Sequence, residues 1–233
     1  MSRDFDSFQK KIGITFSHID LLKEACTHRS YLNENQDWPF SHNERLEFLG
    51  DAVLELVITE KLFKKYPDDD EGHLTSVRAA LVNYISLAQV ARDISLGEVI
   101  LLSKGEEKDT GRAREVILAN AFEALLGAIY LDAGYAVVAD FIETSVFVHT
   151  QEIIDKQLFR DAKSLLQERA QEKFKTTPAY QVIQESGPDH RKEFLVGVFF
   201  KDKKIAEGRG YSKQEAEVEA AKSALEGLNE KII

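Results

Sequence analysis

Ser41-His42-Asn43-Glu44-Arg45-Leu46-Glu47-Phe48-Leu49-Gly50-Asp51-Ala52-Val53-Leu54 decides how the rest of this 233-residue chain is read. Glu44, Glu47 and Asp51 recur at intervals of three and four inside an otherwise apolar run. On a helix turning roughly 100° per residue, all three acids fall within about 60° of arc. Leu46, Leu49, Val53 and Val57 lie opposite, while Phe48, Leu54 and Ile58 crowd the acid stripe itself. A helix that is apolar nearly all round is expected to be buried. Carboxylates clustered there repel one another and lose hydration unless positive charge compensates them. A hard divalent cation such as Mg²⁺, which takes oxygen ligands, does so. The plainer alternative is the solvated face of an amphipathic helix.

A second apolar helix is expected over Ala113–Ala133, where Ile117, Leu118, Phe122, Leu125, Leu126 and Ile129 cover almost every side. Asn120 and Glu123, at i and i+3, are its only polar residues in mid-span. Capping or a core hydrogen bond is the simple account of such a pair. A contribution to the same acidic site is the functional one.

Hydrophobic residues make up 43% of the chain and charged residues 30%, which suits a soluble globular protein of one large or two modest domains. No apolar stretch is expected to reach the length of a membrane span, and Met1-Ser2-Arg3-Asp4-Phe5-Asp6 has no signal-peptide character. The lone Cys26 excludes an internal disulfide and a cysteine-based zinc site, so a reducing cytoplasm is the expected location. The net charge of −10 is unusual for a chain that meets nucleic acid. The excess is confined to the first 160 residues: from Asp161 onward, 13 Lys plus Arg balance 13 Asp plus Glu. Binding to a polyanion should therefore be salt-sensitive and depend on the C-terminal part.

Residues 1 to about 150 read as successive helices, expected at Asp20–Cys26, Asn43–Lys65, Leu74–Asp93, Ala113–Ala133 and Tyr135–Ile154. After about Phe159 the texture changes. A helix over Asp161–Lys173 precedes strands at Ala179–Gln184, Phe194–Phe200 and Lys204–Gly208. Ser212 then caps a last helix, with Glu215 at capping-box spacing and Ala216, Ala220, Ala221, Ala224 and Leu225 facing inward.

The run Ser41–Leu54 resembles the signature of the ribonuclease III family, endonucleases that cleave double-stranded RNA. Leu118-Ala119-Asn120-Ala121-Phe122-Glu123-Ala124-Leu125 is similar to that family's second motif. The order helix, three strands, helix fits a double-stranded-RNA-binding domain. The resemblance covers essentially the whole chain. It implies an all-α endonuclease domain at residues 1–155 and an α-β-β-β-α RNA-binding domain at 156–233. It also implies a cytoplasmic homodimer that hydrolyses duplex RNA with Mg²⁺, or Mn²⁺ as substitute. The products would carry 5′-phosphates and short 3′ overhangs, and the substrates would include ribosomal RNA precursors. Glu47, Asp51, Asn120 and Glu123 would hold the metal, with Glu44 supporting the catalytic set and Phe48 packing across the dimer seam. Glu71 is a further addition to the acidic patch.

By the same resemblance Ser164, Gln167 and Glu168 enter one minor groove, Pro188 and His190 reach the next, and Lys213 meets the phosphates between them. Lys104-Gly105-Glu106-Glu107 and Gly111-Arg112 match a loop near the RNA backbone. Thr27-His28-Arg29-Ser30 matches a family segment that fits either RNA contact or a helix-end hydrogen-bond cluster. Three departures stand out. Asn120 occupies a position that is acidic in the family, Gln214 stands where a second Lys is common, and Glu215, Glu217 and Glu219 make the last helix start acidic. Asn120 has nearly the shape of Asp without its charge. An active natural variant, an inactivating substitution and a degenerate double-stranded-RNA-binding paralogue are all compatible with it.

Overall fold

A computed structural model describes residues 3–159, 161–187 and 192–229. The chain divides into two compact units, residues 1–159 and 160–233.

The first unit is helical. Its long elements are α4 (Glu44–Lys65), α5 (Glu71–Val82), α6 (Tyr84–Asp93) and α7 (Arg112–Ser145), with shorter α1 (Phe5–Ile12), α2 (Ile19–Ala25), α3 (Arg29–Glu34) and α8 (Thr150–Asp155). The central helix is α7, against which α2, α4 and α6 pack. Leu22, Leu54, Ile58, Leu81, Leu87, Phe122, Leu125, Leu126 and Ile129 lie fully enclosed in one core.

Local chemistry accounts for where the helices depart from expectation. The single helix expected over Leu74–Asp93 breaks at Asn83, whose extended backbone (φ −70°, ψ 156°) ends α5 and caps α6. Its side chain accepts the N–H groups of Ile85 and Ser86 at 3.1 and 3.0 Å. The helix also begins earlier, because the Asp70 carboxylate accepts the His73 N–H at 2.8 Å. The junction expected between Ala133 and Tyr135 survives only as a kink at Gly134 (φ 83°, ψ 179°) inside α7. The helices α1 and α3 escaped the periodicity argument because each is short. The first is fixed by its Asp4 cap and a left-handed Gly13 at φ 71°.

One expectation is corrected outright. Residues Arg112–Asp155 do form a helical run long and apolar enough to cross a membrane. In the structure Ile117, Leu118, Phe122, Leu125, Leu126 and Ile129 of that run are core residues of the bundle.

The second unit follows the expected order: α9 (Ala162–Phe174), β1 (Pro178–Ser186), β2 (Glu193–Phe200), β3 (Lys203–Gly210) and α10 (Lys213–Asn229). The strands form an antiparallel sheet in the order β1-β2-β3. Val198 and Phe200 face Leu166 and Ala170 of α9 and the alanine stripe Ala220, Ala221 and Ala224 of α10. The Ser212 hydroxyl accepts the Glu215 N–H at 3.1 Å, while the Glu215 carboxylate returns to the N–H of Tyr211 at 2.9 Å. The cap is thus a capping box displaced by one residue.

Candidate active site

The site begins with two glycines. Any Cβ on Gly50 would sit 1.7 Å from the Glu123 carbonyl oxygen, and one on Gly127 would sit 2.3 Å from that of Leu46. Only hydrogen fits at either position, so α4 and α7 cross backbone against backbone, with sequence rising along one as it falls along the other. This crossing brings Glu47 and Asp51 of α4 alongside Asn120 and Glu123 of α7.

The electrostatics record that proximity. Burial raises the Glu123 pKa to about 8, reinforced by the charges of Asp51, Glu47 and Glu55. Glu47 is also raised, first by burial and then by Glu44, with a smaller push from Asp51. A side-chain hydrogen bond from Asn120 opposes the rise at Glu47. A carboxylate can only accept, so the amide NH₂ of Asn120 is the donor. Here Asn120 directs its positive end at Glu47 and orients that carboxylate.

The acid stripe is not buried, contrary to the expectation for a helix apolar on nearly all sides. Glu44 and Asp51 are exposed and Glu47 half-exposed. The helix has two apolar sides: Leu54, Val57 and Ile58 enter the core, while Phe48, Leu56 and Phe63 are 82%, 59% and 72% exposed. The acids run between them. Phe48 stands beside an open hollow of about 600 Å³ that Leu21, His42, Leu49 and Leu131 also line.

The donor set is chemically suited to a hard cation: three carboxylates with hard oxygens, two of them held above their ordinary pKa first by burial and then by neighbouring carboxylates. Among the described residues no three acidic, histidine or cysteine side chains are already drawn into a cage.

The remaining expected residues lie as follows. Glu44 pairs with Arg29 at 3.4 Å and with His42 at 3.8 Å, at the start of α4. Glu71 lies on the first turn of α5 and accepts from the Thr75 hydroxyl at 3.3 Å. In the second unit Gln167 and Glu168 are exposed on α9, and the Ser164 hydroxyl donates to Asp161 at 3.0 Å. Lys213, at the start of α10, pairs with Glu185 at 3.3 Å and lies over the Phe194 ring. Pro188 and His190 fall outside the described residues. Two features were missed in the sequence. Gly50 and Gly127 carried a signal, isolated glycines inside apolar helices, which marks close backbone approach. Glu55 continues the acid stripe one turn past Asp51, and its partner Arg78 at 2.9 Å lies on a different helix.

Known proteins resemble this chain in both of its units. The Ribonuclease-III-like family profile matches residues 18–150, and the double-stranded RNA binding motif matches residues 162–228. Ribonuclease 3 of Borreliella afzelii (strain PKo) is 44% identical over 223 residues, covering 96% of this chain and 91% of that protein. Ribonuclease 3 of Bacillus cereus (strain G9842) is 46% identical over 228 residues, covering 98% and 93%. Among solved structures, the nuclease domain of ribonuclease III from Campylobacter jejuni superposes with a TM-score of 0.55 at 40% identity. It covers 61% of this chain and 98% of its own. The two domain families matched in this order, with relatives 44–46% identical over more than 90% of their own length, place the chain in the ribonuclease III family of double-strand-specific endoribonucleases.

Proposed function

We propose that residues 1–155 hydrolyse the phosphodiester backbone of duplex RNA with Mg²⁺, or Mn²⁺ in its place, and that residues 156–233 hold the duplex. The observation that carries this reading is the crowding of carboxyl groups at the α4–α7 crossing, where burial and mutual repulsion hold Glu47 and Glu123 above their usual pKa. Glu47, Asp51 and Glu123 would bind the cation through carboxylate oxygens. Asn120 would orient Glu47 through its NH₂ group, or turn its amide oxygen toward the ion. Bound there, the cation supplies a water of lowered pKa and offsets charge on the departing 3′ oxygen. Glu44, and more remotely Glu71, add negative charge at the edges of the patch. The products would be 5′-phosphorylated duplexes with short 3′ overhangs, and precursors of ribosomal RNA would be among the substrates.

The chain would work as a homodimer in the cytoplasm, away from membranes. The 82% exposed Phe48, beside an apolar hollow on the same face, favours a second copy as its cover. The Campylobacter jejuni structure is described as showing flexibility in a region involved in dimer formation. In the second unit, Ser164, Gln167 and Glu168 on α9, Pro188 and His190 between the first two strands, and Lys213 on α10 would track successive grooves by shape and 2′-hydroxyls. The deciding experiment incubates a long perfect duplex RNA with the protein, with and without Mg²⁺. Short duplex products that require the metal are expected. Tight duplex binding without cleavage at any Mg²⁺ or Mn²⁺ concentration would overturn the catalytic reading.

A further inference from the structure

The segment Ala25–Ser30 is a knot joining three parts of the first unit. The Thr27 carbonyl accepts the N–H of Asn43, the residue before Glu44, at 2.9 Å, and the Asn43 side chain donates to the Ala25 carbonyl at 3.3 Å. Thr27 also forms a parallel bridge with Leu101, with Leu101 N–H on the Cys26 carbonyl at 2.7 Å and His28 N–H on the Leu101 carbonyl at 3.1 Å. The start of the acid-bearing helix and the approach to the loop Ser103–Lys108 are thus tied to one short stretch of backbone.

From that stretch α3 reaches over the loop and grips it at two points. Its first turn places the Ser30 hydroxyl 2.8 Å from His28 Nδ1 and 3.1 Å from the N–H of Ser103. Since Nδ1 already accepts the Ser30 N–H at 3.3 Å, the ring proton sits on Nε2 and the hydroxyl donates to Nδ1. Its oxygen is then left to accept from Ser103. The last turn of α3 supplies the Glu34 carboxylate to the Lys104 N–H at 3.3 Å. Ser103 in turn holds the loop's short 3₁₀ turn, accepting the Glu106 N–H on its hydroxyl and the Glu107 N–H on its carbonyl, at 3.3 and 3.0 Å.

We propose that Ser30 is a positioning residue: the His28–Ser30–Ser103 chain presets the Ser103–Lys108 loop on the same backbone stretch that ties the start of α4, so that duplex RNA meets an ordered backbone contact. This rests on the reading that the loop, with Lys104 exposed at its head, touches the RNA backbone. Ordering the loop in advance removes an entropic cost from binding and leaves the reacting groups untouched. Its signature is therefore a change in KM at constant kcat.

The test compares Ser30→Ala, Ser30→Thr and Lys104→Ala in the full-length protein, using steady-state cleavage of one defined RNA duplex and hydrogen exchange of residues 101–108. Loss of one half-buried hydrogen-bond chain and the attendant loop order should raise KM about threefold to tenfold in Ser30→Ala. The expected kcat stays within about twofold of the parent, since one lost hydrogen bond acts on binding rather than on the reacting groups. Exchange should quicken over residues 101–108 alone, and Ser30→Thr, which keeps the hydroxyl, should restore both readings. If Lys104→Ala raises KM while Ser30→Ala does not, the loop contacts RNA without this clamp and the proposal fails by itself. If neither variant moves KM, the loop reading and the proposal fall together. A fall in kcat at unchanged KM, or faster exchange throughout the first unit, would assign Ser30 to the architecture alone.

Discussion

The acid stripe and the basic residues of the second unit treat charge in opposite ways. At the α4–α7 crossing, carboxylates are packed together with no basic partner for Glu47 or Glu123 among the described residues, and burial and mutual repulsion hold both above their ordinary pKa. In the second unit Lys213, expected to face a polyanion, is already partnered with Glu185 at 3.3 Å, and Lys163 and Arg209 are likewise paired, with Glu217 at 2.6 Å and Glu193 at 3.3 Å. One region stores electrostatic stress that a cation relieves. The other has traded its charge internally and must exchange carboxylates for phosphates. On the proposed reading, chemistry would follow from the first arrangement, and modest, salt-sensitive, shape-led binding from the second.

The sharpest way to break this contrast is to remove the stored stress. Glu123→Gln keeps shape and deletes one charge, and should cut the cleavage rate about a thousandfold or more, since a lost metal ligand removes several kcal/mol of transition-state stabilisation. Duplex binding should stay within about twofold, because backbone contacts elsewhere carry it. A linked pH effect has a definite sign. Below the usual carboxylate pKa both the folded and unfolded chains hold the proton, and Glu123 contributes nothing. Between there and about 8 the unfolded chain ionises while the folded one stays protonated, so metal-free stability falls as pH rises, then levels off. Glu123→Gln should abolish that part of the slope in thermal melts. Cleavage by the variant at the parent rate under saturating Mg²⁺ would remove Glu123 from the site.

How much of this was legible differs between the regions for a physical reason. Spacing along one helix showed Glu44, Glu47 and Asp51 as a stripe, because residues three and four apart share a face whatever the helix packs against. Asn120 and Glu123 stood out as polar interruptions of an apolar run. What spacing could not show was that α4 keeps one apolar side open; Phe48 and Val57 look alike in a periodicity argument, and one is 82% exposed while the other is enclosed. Ion pairs such as Lys163–Glu217, 54 residues apart, were equally hidden, since sequence reports charges and not their partners. The break at Asn83 was readable in principle from its capping chemistry, yet the apolar period runs through it.

A smaller effect is expected where the two kinds of charge arrangement meet in one residue. Asn120→Asp replaces the amide that donates to Glu47 with a further carboxylate of nearly the same volume. The metal-free protein should melt a few degrees lower, as about 1 kcal/mol of added repulsion implies for a domain of this size. The Mg²⁺ concentration for half-maximal cleavage should fall about tenfold, because a charged oxygen attracts the ion more strongly than an amide. Titrating Mg²⁺ against initial rate for both proteins on one duplex checks this. An unchanged midpoint with a lowered melting temperature would mean that residue 120 orients Glu47 and never meets the metal.

The smallest effect tests the paired side of the contrast. Glu185→Gln leaves the fold of β1 intact, since Glu185 is an exposed strand residue whose backbone pairing with Phe194 does not involve its side chain. It frees Lys213 from a carboxylate 3.3 Å away. An exposed pair of this kind contributes only about 0–1 kcal/mol, so duplex affinity should rise by at most about fivefold. The direction nevertheless discriminates. If Lys213 meets phosphate, its release from Glu185 removes both a competing partner and a repelling charge, and the gain should shrink as salt rises. Measuring duplex affinity from low to near-physiological salt on a Glu123→Gln background, where cleavage does not consume the RNA, separates the outcomes. A gain that fades with salt places Lys213 on the phosphate backbone. No gain at any salt would show that the Glu185–Lys213 pair persists on RNA and belongs to the packing of the fold.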